Sequence, residues 1–178
     1  QLDPNASGPD LQLYFSPVSY TRAPAGVRPL MNPDPFPGFL MGFNPCKPTS
    51  VGNLQICSND PMLPPKIHSN YLDTEYDKKM MIEGIQLIRR IANAPALNSI
   101  IKDELAPGNN IKSEADIAKY IRQKAWSVFH PCSTCRMGSD PNISVVDPKL
   151  RVYGVENLRI ADASIFPTIP TGNINAPS

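Results

Sequence analysis

The sequence has little net charge and no long apolar run. Of its 178 residues, 17 are Lys or Arg and 16 are Asp or Glu, so the formal net charge is +1. A chain this close to neutral offers no basic surface for nucleic acid or for an anionic membrane. No stretch reaches the roughly 18 to 20 apolar residues that a membrane-spanning helix needs. We therefore expect neither a nucleic-acid partner nor a membrane segment in this chain.

Cysteine is also scarce. The four cysteines, Cys46, Cys57, Cys132 and Cys135, are too few for a disulfide scaffold in a chain of this length. Reduced thiols, as in cytosolic proteins, are the expected state. The Cys132-x-x-Cys135 spacing is compatible with zinc or redox chemistry, but zinc needs four ligands and no second pair of suitable spacing occurs. The motif is followed by more loop rather than by a helix, unlike thioredoxin-type motifs, so structural thiols are the favoured interpretation.

Proline is abundant instead. The 21 prolines make up about 12% of the chain, against a usual share of roughly 5%. They cluster in residues 4–65, where they disfavour long helices and favour short strands and extended connections. Leu, Phe, Tyr and Val are interleaved throughout, so the stretch does not have the composition of a disordered tail. Strands are predicted within residues 11–20, 38–43 and 52–58.

The pattern changes to a helical one after residue 72. Between residue 73 and about residue 94 the apolar residues recur at helical spacing, with charged residues on the opposite side. A shorter helix is predicted over residues 96–105. Ser113 is typical of an N-cap and predicts a third helix to about Trp126. Strands followed by helices, without regular alternation, indicate an α+β fold in which an antiparallel sheet is flanked by helices.

The last fifty or so residues contain two turns rich in Pro, Gly and Asn. The first is HPCSTCRMG at residues 130–138 and the second is TGNINAP at residues 171–177. Short strands are predicted between them, at residues 145–148, 150–155 and 158–163. Rigid loops of this composition are more often built to approach a ligand than to fill space. An imidazole in one turn and a carboxamide in the other would suit the removal of a proton from an alcohol.

Four sequence blocks in this region resemble one enzyme family. They are HPCSTCRMG at 130–138, VDPKLRVYGV at 146–155, LRIADASIFP at 158–167 and GNINAP at 172–177. In this order they resemble the C-terminal part of the glucose-methanol-choline (GMC) oxidoreductases, in the choline-dehydrogenase-like and aryl-alcohol-oxidising branch. Upstream, LQICSNDP at 54–61 is similar to a segment of that family's substrate domain. The resemblance thus covers nearly the whole chain.

The resemblance implies a protein of two parts. An α/β domain of the dinucleotide-binding type holds FAD, and a substrate domain with an antiparallel sheet and flanking helices covers the flavin. Residues 1–127 match the substrate-binding domain, and residues 128–178 match the final return of the chain into the FAD-binding domain. No Gly-x-Gly-x-x-Gly occurs here, so the turn that would hold the FAD pyrophosphate is expected upstream of Gln1. We expect the chain to act with that upstream FAD-binding portion and not to retain FAD alone.

The resemblance also implies roles for particular residues. His130 matches the position of the base that removes the alcohol proton. Asn175 matches a second active-site position, His or Asn in the family, and would orient the alkoxide. Phe129 matches an aromatic position that lines the substrate pocket, and no metal is implied. The residues at positions expected to contact FAD are Asp162, Ala163, Asn173 and Ala176.

The implied activity is oxidation of a small-molecule alcohol, with hydride passing from the alcohol carbon to flavin N5. Two alternatives remain open at this point. A flavin-fold lyase of the hydroxynitrile lyase type would use a similar His as acid and base without hydride transfer, and a non-catalytic binding fragment would use neither. Taken without the four blocks, His130 is an ordinary turn residue before proline, and Asn173 is a turn-stabilising asparagine.

Overall fold

A computed structural model describes residues 2–21 and 32–178 of the chain, so part of the proline-rich stretch lies outside the described residues. Short strands come first and helices follow. The strands are β1 (Leu11–Ser16), β2 (Tyr20–Thr21), β3 (Asn32–Pro33), β4 (Leu40–Pro45), β5 (Asn53–Gln55) and β6 (Lys66–His68). The helices are α1 (Glu75–Ala92), α2 (Pro95–Asn98) and α3 (Glu114–Lys124), with a 3-10 turn at Ala163–Ile165. This segregated mixture agrees with the predicted α+β class.

The strands pair antiparallel, as predicted, but they do not form the single sheet that we expected. In the described part of the chain, β1 pairs with β4, β2 with β3 and β5 with β6, which makes three separate two-stranded ladders. Four of the six strands are only two or three residues long. Proline supplies no backbone N–H and interrupts ladders of this kind, which limits how far each can extend.

The helices follow their local signals except in one place. Thr74 caps α1 by accepting a hydrogen bond from the N–H of Asp77, and Ser113 caps α3 by accepting from the N–H of Asp116. The first and third predicted helices are therefore confirmed. No helix among the described residues is both long enough and apolar enough to cross a membrane.

The second predicted helix is wrong in its length, because α2 ends at Asn98 instead of about residue 105. The chain beyond it is held by α1. The guanidinium of Arg89 donates to the carboxylate of Glu104, with Nη2 2.7 Å from Oε1, and to the carbonyl of Gly108 at 3.1 Å. These hydrogen bonds hold residues 104–108 against α1 as a loop.

A small apolar core joins α1 and α3 to the β1–β4 ladder. Ile85, Ile117 and Ile121 are buried, and the ring of Phe43 packs against them. Gly84 permits this contact, because a Cβ at that position would overlap the Phe43 ring. The face of the ladder that carries Phe43 therefore points towards α1, and the opposite face points away from it.

A buried carboxylate fastens the chain after β4 to α1. Asp77, only 2% exposed, accepts hydrogen bonds from the backbone N–H of Thr49 at 2.8 Å and of Ser50 at 2.9 Å. Burial raises the pKa of the Asp77 carboxyl, but hydrogen bonds from Ser50 and Thr49 outweigh that effect and leave the pKa below its ordinary value. The ionised Asp77 carboxylate thus ties the chain after β4 to the start of α1.

The C-terminal segment has bridges where strands were predicted. Val146 is fully buried and forms bridges with Met137 and Val152, while Arg151 forms a bridge with Arg159. Leu150 and Gly154 have φ values of +64° and +75°, which turn the chain too sharply for continuous ladders. The strands predicted over 145–148, 150–155 and 158–163 are therefore wrong, because each forms only isolated bridges.

Candidate functional site

The turn at residues 130–138 is held against the segment that contains Asp162 and Ala163. The N–H of Ser133 donates to the carbonyl of Ala163 at 3.4 Å, and the N–H of Cys135 donates to the carbonyl of Ser164 at 2.9 Å. The structure therefore brings the loop of the predicted base next to two of the residues predicted to contact FAD. These segments are about thirty residues apart in sequence, and their pairing is a tertiary feature.

Asp162 begins the 3-10 turn and points an ionised group outwards. Its Oδ1 accepts from the N–H of Ser164 at 2.8 Å, and its side chain is exposed. Hydrogen bonds from the Ser164 side chain and backbone lower the pKa of the Asp162 carboxyl. An ionised carboxylate accepts hydrogen bonds from hydroxyls, but it repels phosphate. Its chemistry therefore fits the ribityl hydroxyls of FAD and does not fit the pyrophosphate.

The loop before His130 is bent in an unusual way. Phe129 has a φ of +62° and its side chain is 77% exposed. A bulky residue in this left-handed region costs about 1–3 kcal/mol and persists only where its surroundings hold it. The holding groups are hydroxyls: Ser127 Oγ accepts from the N–H of Phe129 at 2.9 Å and from the hydroxyl of Tyr71 at 3.1 Å.

His130 itself is half-buried in this loop. Among the residues that the structure describes, its imidazole has no hydrogen-bond partner. Both ring nitrogens are thus available to a substrate or to a group from outside the described chain.

The C-terminal loop is anchored by one apolar side chain. Ile174 is 6% exposed, and its carbonyl accepts from the N–H of Ser178 at 3.1 Å. Asn173, Asn175 and Ala176 are exposed on either side of it. Within the described ranges, the Asn175 side chain makes no hydrogen bond and no hydrogen bond joins this loop to the turn at 130–138. The amide of Asn175 and the N–H of Ala176 are thus free to donate to a ligand.

One side-chain hydrogen bond links this loop to the β1–β4 ladder. The hydroxyl of Tyr14 donates to Oδ1 of Asn173 at 3.4 Å. Tyr14 lies on the ladder face opposite to Phe43, because the two residues occupy alternating positions in the register. Sequence reasoning missed Tyr14, Tyr71 and Ser127. The pairings of Tyr71 with Ser127 and of Tyr14 with Asn173 join residues far apart in the chain and carry no local signal.

The two cysteines of the turn at residues 130–138 do not form a disulfide bond with each other. Cys132 and Cys135 are half-buried free thiols, and the hydroxyl of Ser133 lies 3.3 Å from Cys132 Sγ. Within residues 2–21 and 32–178, no three His, Cys, Asp or Glu side chains converge as a metal site would require. The structural role of these thiols stays a prediction.

A separate cleft of about 540 Å³ lies on the segment of residues 147–159. None of the predicted site residues lines it. Asp147 and Arg151 are among its lining residues. The Asp147 carboxylate accepts from Arg151 Nε at 2.7 Å, and this hydrogen bond lowers the pKa of the Asp147 carboxyl.

Comparison with known proteins reveals close relatives. The profile of the family described as GMC oxidoreductase matches residues 48–178. Human mitochondrial choline dehydrogenase is 39% identical over 180 aligned positions, which cover 98% of this chain and 29% of that protein. A fungal aryl-alcohol oxidase superposes with a TM-score of 0.71 at 26% identity, covering 84% of this chain and 25% of that one. An FAD-dependent oxidoreductase from Chaetomium thermophilum superposes with a TM-score of 0.71 at 29% identity, covering 76% and 23%.

The chain spans between 25% and 30% of the length of the curated relatives that it matches first. The relatives include both choline dehydrogenases and an aryl-alcohol oxidase, so the branch inferred from the four sequence blocks is confirmed. Since the family profile covers residues 48–178, most of its length, this chain belongs to the GMC oxidoreductase family.

Proposed function

We propose that the protein containing this chain is an FAD-dependent oxidoreductase that oxidises the CH–OH group of a small alcohol. The observation that carries the proposal is the backbone pairing of the turn at residues 130–138 with residues 163–165, which puts the segment of the proposed base beside the segment of a proposed FAD contact. The names of the relatives, choline dehydrogenase and aryl-alcohol oxidase, support the same chemistry. FAD, when bound, accepts the hydride that leaves the alcohol carbon.

His130 is the base in this proposal. Its imidazole accepts the proton of the substrate hydroxyl, as a positioned imidazole does in general acid–base catalysis. Asn175 donates an amide N–H to the oxygen as negative charge develops on it, and so keeps the alkoxide in place. Phe129, exposed beside His130, forms an apolar wall that limits the access of water to the reacting atoms.

Four residues would contact FAD. The carboxylate of Asp162 accepts from a ribityl hydroxyl, and the half-buried Ala163 lies next to it. The N–H of Ala176 and the amide of Asn173 supply hydrogen-bond donors on the second loop. Their exposure is consistent with a ligand that is shared between this chain and another part of the protein.

That other part is an upstream FAD-binding portion of the same protein. The chain has an accessible surface of 12948 Å², about 1.5 times the roughly 8,500 Å² of a compact monomer of 19.5 kDa. The excess is larger than the share that one partner contributes to most permanent interfaces, as expected for a chain that packs extensively against another part of the protein. In this organisation residues 1–127 form the substrate-binding part and residues 128–178 return to the FAD-binding part.

The test is reduction of the flavin in the full-length protein under anaerobic conditions. A panel of primary alcohols, including choline and benzyl alcohol, should bleach the flavin absorbance and give one aldehyde for each flavin. Release of cyanide from a cyanohydrin without flavin bleaching would instead establish the lyase alternative. The dehydrogenases and oxidases among the relatives do not favour that alternative.

A further inference from the structure

A chain of two hydroxyls connects the first half of the molecule to the loop of His130. Tyr71 lies between β6 and α1, and its hydroxyl donates to Ser127 Oγ at 3.1 Å across 56 residues of sequence. The same oxygen accepts from the N–H of Phe129 at 2.9 Å. Ser127 thus receives one hydrogen bond from a distant residue and one from the N–H of Phe129, the residue immediately before His130.

The backbone at Phe129 needs such an anchor. A phenylalanine with a φ of +62° has lower-energy conformations available at negative φ. The peptide after Phe129 carries His130, so a change in the φ of Phe129 would redirect the imidazole. Ser127 holds the N–H of Phe129, which belongs to the peptide on the other side of this φ rotation. A shift of that held peptide would move the imidazole with it, so the side chains that hold it help to set the direction in which His130 points.

We propose that Ser127 and Tyr71 are positioning residues that hold His130 in its reactive direction through the backbone of Phe129. The proposal rests on the proposed function, because it takes His130 to be the base. Ser127 acts directly on the Phe129 peptide, and Tyr71 acts one step further away by orienting the Ser127 hydroxyl. Neither residue exchanges a proton with the substrate.

The expected rate losses are larger for Ser127, which contacts the Phe129 backbone, than for Tyr71, which contacts only Ser127. Misplacement of a reacting group by about 1 Å can slow a reaction by roughly 100-fold. Ser127→Ala in the full-length flavoprotein should therefore slow anaerobic flavin reduction by about 10- to 100-fold. Tyr71→Phe removes only the outer hydrogen bond and should slow it by about 3- to 10-fold. Ser127→Thr keeps the hydroxyl and should stay within about threefold of the parent enzyme. The substrate dissociation constant should change less than twofold in all three.

A double variant separates positioning from a general structural role. If Ser127 acts through His130, then Ser127→Ala should have little further effect in a His130→Ala background. Purely structural damage would instead slow the His130→Ala enzyme by the same factor as the parent. Bound FAD and the thermal unfolding midpoint are measured for every variant, and Ser99→Ala is the matched control, because its hydroxyl donates to the Ala96 carbonyl in α2.

The outcomes are distinct. Multiplicative effects of Ser127→Ala and His130→Ala, or an unchanged rate in Ser127→Ala, would overturn the positioning role. A failure of Ser127→Thr to restore the rate that Ser127→Ala loses, in folded protein with bound FAD, would also overturn it. A His130→Ala enzyme as fast as the parent would refute the proposed function itself. That result is distinct from multiplicative effects of the two substitutions.

Discussion

The hydroxyl of Tyr14 lies 3.4 Å from Oδ1 of Asn173, although 159 residues separate the two in sequence. Tyr14 belongs to β1, and its side chain leaves the ladder on the face opposite to Phe43 and α1. The ladder thus uses one face for the core and the other for the loop that carries Asn175. Together with the buried side chain of Ile174, this hydrogen bond limits where Asn173 can lie.

Removing that hydroxyl should weaken FAD binding slightly. A separation of 3.4 Å is long for an O–H···O hydrogen bond, so its contribution lies near the low end of the usual range. Tyr14→Phe in the full-length protein should raise the FAD dissociation constant by about 2- to 5-fold, measured by flavin fluorescence. Tyr14→Phe should add nothing to Asn173→Ala. Tyr20→Phe is the control, because the Tyr20 hydroxyl has no hydrogen-bond partner in the described chain. Equal weakening by the control would refute the link.

Replacing His130 should abolish most of the chemistry while leaving the flavin bound. A positioned acid–base group typically contributes 10²- to 10⁴-fold to a rate. His130→Ala should therefore slow anaerobic flavin reduction by about that factor, measured by stopped-flow absorbance. The pH profile of the parent rate should show one group that must be unprotonated for flavin reduction, and this feature should be absent from the profile of His130→Ala. A pH profile that keeps this group would show that the base lies elsewhere.

Replacing Asn175 should have a smaller effect of a different kind. Loss of one donor to a developing oxyanion costs up to a few kcal/mol, so Asn175→Ala should slow flavin reduction by about 10- to 10³-fold. Asn175→His should keep substantial activity, because an imidazole N–H can donate to the same oxygen. The basic group in the pH profile should persist in both variants. Its loss in Asn175→Ala would contradict the assignment.

The paired cysteines should be dispensable for chemistry. Replacing Cys132 and Cys135 together with Ser removes both half-buried thiols and leaves the backbone hydrogen bonds to residues 163–165 in place. Flavin reduction should stay within about tenfold of the parent rate, with any loss arising from packing. Metal analysis of the parent protein accompanies the kinetics. Stoichiometric zinc that is lost together with activity would overturn this prediction.

The Asp77 carboxylate should make the stability of the protein depend on pH. Its pKa is lowered in the folded state, so its stabilising effect is present above the unfolded-state value of about 3.9 and is lost as pH falls through the folded value. Asp77→Asn should lower the unfolding midpoint clearly at pH 7 and much less at pH 3. The exposed Asp103→Asn is the control. A deficit of the same size at both pH values would contradict the role of the charge.

Much of the molecule follows from local sequence. The apolar spacing of α1 predicts that helix, and Ser113 predicts the start of α3, because caps and amphipathic faces depend on neighbouring residues. The blocks at 130–138 and 172–177 led to the family and to His130 and Asn175 as candidates. The roles of these two residues stay predictions.

Only the tertiary structure decided the rest. The second predicted helix stops early because Glu104 and Gly108 bind Arg89 of α1, a partner that no local pattern reveals. The strands predicted near Val146 became isolated bridges because positive φ values at Leu150 and Gly154 turn the backbone. The hydroxyls that anchor the two loops come from Tyr71 and Tyr14, at distances of 56 and 159 residues along the chain. Sequence determines which groups are available for the chemistry, whereas contacts between distant segments determine where those groups point.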